Sequence, residues 1–183
     1  MNKIKVALVA LSLAVTYCTS APEGEKTLPT GTQSGAQTTT STLLPRLLYT
    51  DIDPSISVKD KSQEEIKDLL HEMYEVDQRY RDSLQNQNRP ERRRFYTQRM
   101  GACDAANRTL LDKIIEEVGW PTISQFGKKG ADAAWLVVWH QRSDKHYLAK
   151  YLDLMQQAAE KKEMDSTNFA WVKERVEWQA RQQ

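Results

Sequence analysis

Two cysteines, three histidines and seven glycines in 183 residues leave little material for several common chemistries. Once Cys18 is acylated or removed with the leader, Cys103 has no partner, so no internal disulfide is expected. The histidines (His71, His140, His146) do not form the paired Glu-x-x-His units of a di-metal bundle, so neither a metal nor a cofactor is expected. Asp68-x-x-His71 sits on the flank of a helical pattern, away from its apolar stripe. A glycine-rich phosphate loop, a serine nucleophile elbow and a Cys–His pairing are all missing. An excess of one charge is missing too. Without Lys3 and Lys5, the 26 basic residues fall to 24 against 25 acidic ones, which gives no reason to expect nucleic acid as a partner.

The N-terminus lacks a run long enough to span a bilayer. Val6 to Val15 is an apolar stretch of about ten residues where a membrane helix needs about 20, and Lys3 and Lys5 precede it as a short positive region. This is the pattern of an export signal. The following Val15-Thr16-Tyr17-Cys18 resembles a lipobox, in which the Cys18 thiol is acylated, although Tyr17 stands where a small residue is usual. Residues 1–18 are therefore expected to be a lipoprotein-type signal, with the membrane as a partner through a lipid anchor on Cys18. Ordinary cleavage after Ser20 is the alternative and would leave a periplasmic or secreted protein. Residues 19–59 read as a tether and strap. Thr19 to Ser41 is rich in Thr, Ser, Gly, Pro and Gln and buries too little to order itself. Leu43 to Ile56 is more apolar, but Pro45 and Pro54 argue against regular structure through it.

Residues 60–183 carry helical periods and no alternating strand pattern, so an all-α domain is expected, an irregular bundle of about five helices. Ser62 with Glu65 is a capping box ahead of Ile66, Leu69, Leu70, Met73, Val76, Tyr80 and Leu84. Arg89-Pro90 opens a second helix with Tyr96, Met100, Cys103, Leu110, Leu111, Ile114 and Val118 on its stripe, and Gly119 stops it. Thr122 and Gln125 suggest another capping box and a short helix through Phe126, with Gly127 and Gly130 flanking a Lys-Lys turn. Ala131 to His140 is apolar on every side and belongs in the middle of the bundle. Asp144 caps a fourth helix carrying Leu148, Tyr151, Leu152, Met155 and Ala159, and Asp165 or Ser166 starts the last, with Phe169, Val172 and Val176 inward.

Two positions break this apolar order. At 100° per residue Asp77 lies within about 20° of Ile66, and Asn107 within about 20° of Ile114, both where the period calls for an apolar side chain. Such groups are costly to bury without partners. Arg81, one turn beyond Asp77, is placed for an internal ion pair. His140 ends the most apolar helix, and Arg175 borders the inward face of the last one. Together Asp77, Asn107, His140 and Arg175 offer an acid, an amide, a titratable base and a fixed cation, the mixture from which acid–base sites are assembled. The simpler reading is a structural network in which Arg81 or Arg175 neutralises Asp77. Cys103, on an apolar stripe, reads as a buried, inert thiol. The basic run Arg89 to Arg94 reads as a solvated face, with anionic headgroups as the alternative contact.

Taken in order, Met73, Asp77-Gln78-x-x-Arg81, Asn107, Gly119-Trp120-Pro121-Thr122 with Gly127, Ala134-Trp135-Leu136, His140 and Arg175-Val176 form a specific set. On these motifs the segment from about residue 63 to 178 resembles an uncharacterised bacterial family, the domain of unknown function numbered 6624. Trp139 stands where the resemblance implies Gln, and Glu174 where it implies Asp. The resemblance brings no activity with it. The expected function is a lipid-anchored helical module of the cell envelope that binds an envelope protein or a small ligand through Asn107, Arg175 and Arg81. The alternative is an envelope hydrolase or lyase using Asp77 and His140 as acid and base.

Overall fold

Four of the five helices begin at a residue whose side chain takes up a free amide of the first turn. A computed structural model describes residues 51–182; the expected signal, Cys18 and the chain through residue 50 lie outside the described residues. Five helices follow in order: α1 (Gln63–Gln85), α2 (Pro90–Val118), α3 (Ile123–His140), α4 (Lys145–Glu160) and α5 (Ser166–Ala180). The fold is all-α, with no strand among the described residues. Ser62 and Glu65 close a reciprocal capping box on α1. Thr122, Asp144 and Asp165 accept first-turn amides of α3, α4 and α5. The backbone amide of Tyr147, followed by the Arg108 side chain, holds the Asp144 carboxyl below its ordinary value. α2 has no side-chain cap and opens instead on Pro90, whose missing N–H needs none.

α1 packs on α2 and α3, and α4 pairs with α5. Between them run Ile66, Leu70, Met73, Tyr80, Leu110, Leu111, Ile114, Phe126, Val138, Leu148, Met155 and Val172, all fully buried. α4 is tied to α2 by its tyrosines: Tyr147 and Tyr151 both donate to Asp112 Oδ1. Burial and that carboxylate push both phenols upward. Ahead of α1, Ile52 and Val58 enter the core, and Lys113 Nζ donates to the carbonyls of Pro54 and Ile56 at 2.8 and 3.2 Å.

One local expectation needs correction. Gly127 is not the start of a Lys-Lys turn. It is a kink (φ 71°, ψ 170°) inside α3, and Lys128 and Lys129 already belong to the helix beyond it. Gly130 lies within that helix and is buried where α3 crosses Leu70 of α1. Arg93, in the basic run, donates to the carbonyls of Leu84 and Gln87 at 3.3 and 3.0 Å, closing the end of α1, which has no basic residue in its own last turn.

Candidate functional site

α1 presents Asp77 toward the middle of α2 and the end of α3, and the residue is only 2% exposed. Its Oδ1 lies 2.8 Å from Arg81 Nη1 and 3.0 Å from His140 Nδ1, while Gln78 Nε2 donates to Oδ2 at 2.7 Å. The i to i+4 spacing on α1 brings Arg81 back over Asp77. His140 arrives because the interior face of α3 ends there, against α1. The other Arg81 nitrogen, Nη2, donates to Asp104 Oδ1 at 2.9 Å. One guanidinium therefore bridges two carboxylates from different helices, and His140 Nδ1 stands 3.9 Å from the second.

Asp104 is the member that the sequence pattern missed. It sits beside Cys103 at the edge of the α2 stripe, and only the packing of α2 against α1 brings it to Arg81. A usable signal was its i to i+3 spacing from Asn107. Asn107 itself lies one turn deeper. Its Nδ2 donates to the Met73 carbonyl at 3.4 Å and to Cys103 Sγ at 3.5 Å, so it joins the packing between α1 and α2. Arg175 does not reach the group. Its Nε donates to the Arg142 carbonyl at 3.0 Å and its guanidinium lies over the Trp178 ring, because α5 packs on α4 and turns this residue to the surface. Asp144, the cap of α4, pairs with Arg108 at 3.0 Å.

A cleft of about 580 Å³ opens onto this group, lined by Arg81, Met100, Asp104, Trp139, His140 and Arg142. Asp77 stands behind it. With Nδ1 buried against Asp77, Nε2 is the ring nitrogen left to face the cleft. Asp77 Oδ1 and His140 Nδ1 are both buried, and their contact lacks hydrogen-bond geometry. Asp77, Asp104 and His140 each offer a donor atom within 4.8 Å of the others, near enough to share a cation. Arg81 already bridges the two carboxylates, so a metal ion would have to displace it. Below the cleft, burial first and then the charges of Asp77 and Asp104 push the Cys103 thiol up to about 12. Cys103 is thus a buried packing residue, with no thiolate to offer.

The arrangement supplies a polar floor, an imidazole with a buried carboxylate 3.0 Å behind it, and guanidinium groups at the side. A family model described as "Family of unknown function (DUF6624)" matches residues 64–182. No curated protein and no solved structure matches the chain.

Proposed function

The chain belongs to the DUF6624 family, which brings no activity with it, and we propose that it is an exported, lipid-anchored helical binding module whose small ligand enters the His140 cleft. The observation that carries this reading is His140 at the floor of an open cleft, with its inner nitrogen against buried Asp77. A pair of apolar side chains would pack this space at no loss of stability, since buried ion pairs seldom outdo well-packed hydrophobic ones. A sealed network would also leave no ring nitrogen turned outward. Arg142, in the cleft lining, suits a ligand with an anionic or amide oxygen, which its guanidinium can grip by two N–H groups.

The test is an NMR titration with acetate, inorganic phosphate and N-methylacetamide, following the Trp139 indole N–H. At least one probe is expected to move that signal saturably in the wild-type chain and to leave it still in His140→Gln. A signal that no probe moves overturns the reading.

An envelope hydrolase or lyase is the second reading, favoured by one feature: Asp77 lies directly behind a cleft-facing imidazole. His140 Nε2 would then take or give the proton, and Asp77 would orient the ring. Asp104, on the cleft wall, is better placed than Asp77 to meet a substrate. Asp77→Asn separates the two readings. It should abolish turnover and spare ligand binding in an enzyme, whereas in a binding module it lowers the melting temperature and changes no other property.

A further inference from the structure

A second concavity, distinct from the His140 cleft but sharing Trp139 as a wall, lies between the end of α3 and α5. It encloses about 420 Å³ and is lined by Trp139, Trp171, Glu174, Arg175 and Trp178. Trp171 and Trp178 are seven residues apart on α5 and so share a face. They are 48% and 44% exposed, the two large apolar side chains left open among the described residues. The indoles are held in place. Trp135 stacks on Trp139 at 6.3 Å and 14°, contacts Trp171 at 5.9 Å, and donates its Nε1–H to the Asn168 carbonyl. Arg175 and Gln179 both donate to the Arg142 carbonyl at 3.0 Å, which fixes α5 against the end of α3.

We propose that this cleft binds a pyranose ring of a neutral saccharide, with Trp171 and Trp178 against the C–H faces of the sugar and Glu174 and Arg175 bonding its hydroxyls. Three features select that occupant. Guanidinium groups already lie over two of the indoles, Arg142 over Trp139 at 5.7 Å and Arg175 over Trp178 at 4.4 Å, so these rings already hold a cation of the chain's own. The lining holds one carboxylate and one guanidinium, a net charge of zero with both acceptors and donors, which matches a ring of hydroxyls better than an ion. A membrane surface would call for basic residues beside the aromatics, but this face carries Glu174 among its tryptophans. The volume falls within the roughly 300–1,000 Å³ usual for small-molecule sites.

The experiment titrates the wild-type chain with chitotetraose and cellotetraose, read by tryptophan fluorescence and calorimetry. Saturable binding of at least one is expected, weakened about tenfold or more in Trp171→Ala and in Trp178→Ala. Trp171→Phe should retain part of the affinity, and melting curves of all three variants show whether they fold. His140→Gln should bind the saccharide as the wild type does, so failure here and failure of the His140 cleft are distinguishable. The proposal is overturned if neither saccharide binds, or if both alanine variants bind undiminished. It is equally overturned if the response comes from tetramethylammonium, or from vesicles containing phosphatidylglycerol, in place of the sugars.

Discussion

Cys103 illustrates how one residue's chemistry follows from its neighbours. The thiol is buried beneath two carboxylates, both of which oppose a second negative charge, and Asn107 Nδ2 lies 3.5 Å from the sulfur. The folded chain therefore holds the proton to about 12, while the unfolded chain releases it near the ordinary 9.0. Above pH 9 the unfolded state binds fewer protons than the folded one, so this residue makes stability fall as pH rises through that range. Two outcomes follow. An aromatic disulfide reagent at pH 8 should label Cys103 slowly in the native protein and at once in denaturant. Cys103→Ala should flatten the alkaline limb of the stability profile. Rapid native labelling would mean that the thiol is not enclosed as described. Asp77, Asn107 and Cys103 were all legible in the sequence because each lies on a helical stripe. Asp104 was not, since it lies just off its stripe and gains its role only from Arg81 on another helix. Arg175 shows the opposite case. Its position beside Val172 and Val176 places it near the core, yet the packing of α5 turns it outward.

The same limit holds for whole helices. Helix starts depend on side chains within three residues, so Ser62, Thr122, Asp144 and Asp165 could be read from local spacing alone. Gly119, at φ 78°, likewise ends α2 by a conformation that other residues rarely adopt. Gly130 could not be sorted in this way, because its role depends on what packs against it. A Cβ at Gly130 would lie 2.7 Å from Phe126 Cβ, and 3.6 Å from Leu70 Cδ1 of α1. Gly101, in the exposed middle of α2, has nothing within 4 Å of such an atom. Replacing a helical glycine by alanine ordinarily stabilises by about 0.5–1 kcal/mol. Gly101→Ala should show that gain in denaturant melts. Gly130→Ala should instead destabilise by about 1–2 kcal/mol, since the overpacking cost exceeds the propensity gain. If the two variants melted alike, Phe126 would not lie as close to Gly130 across the Gly127 kink as described.

Across the whole molecule, helix α1 holds the core together, and both clefts open where the last turn of α3 meets other elements: α1 and α2 for His140, α5 for the tryptophans. Neither cleft could be outlined from sequence, because each takes its walls from helices far apart in the chain. Attachment to a membrane is a separate property. No helix among the described residues is long and apolar enough to cross a membrane; the anchor proposed above is a lipid on Cys18. A single acyl chain holds a protein only weakly, whereas several together give stable attachment, so the anchor should act nearly all-or-none. In cells making the full chain, Cys18→Ala should move the protein from the membrane to the soluble fraction and abolish incorporation of a labelled fatty acid. His140→Gln and Trp171→Ala, which leave Cys18 untouched, should remain with the membrane. If Cys18→Ala partitions as the wild type does, the lipid anchor is wrong. Both clefts would be unaffected by that result, because every residue that forms them lies within α1, α2, α3, α5 and the turn after α3.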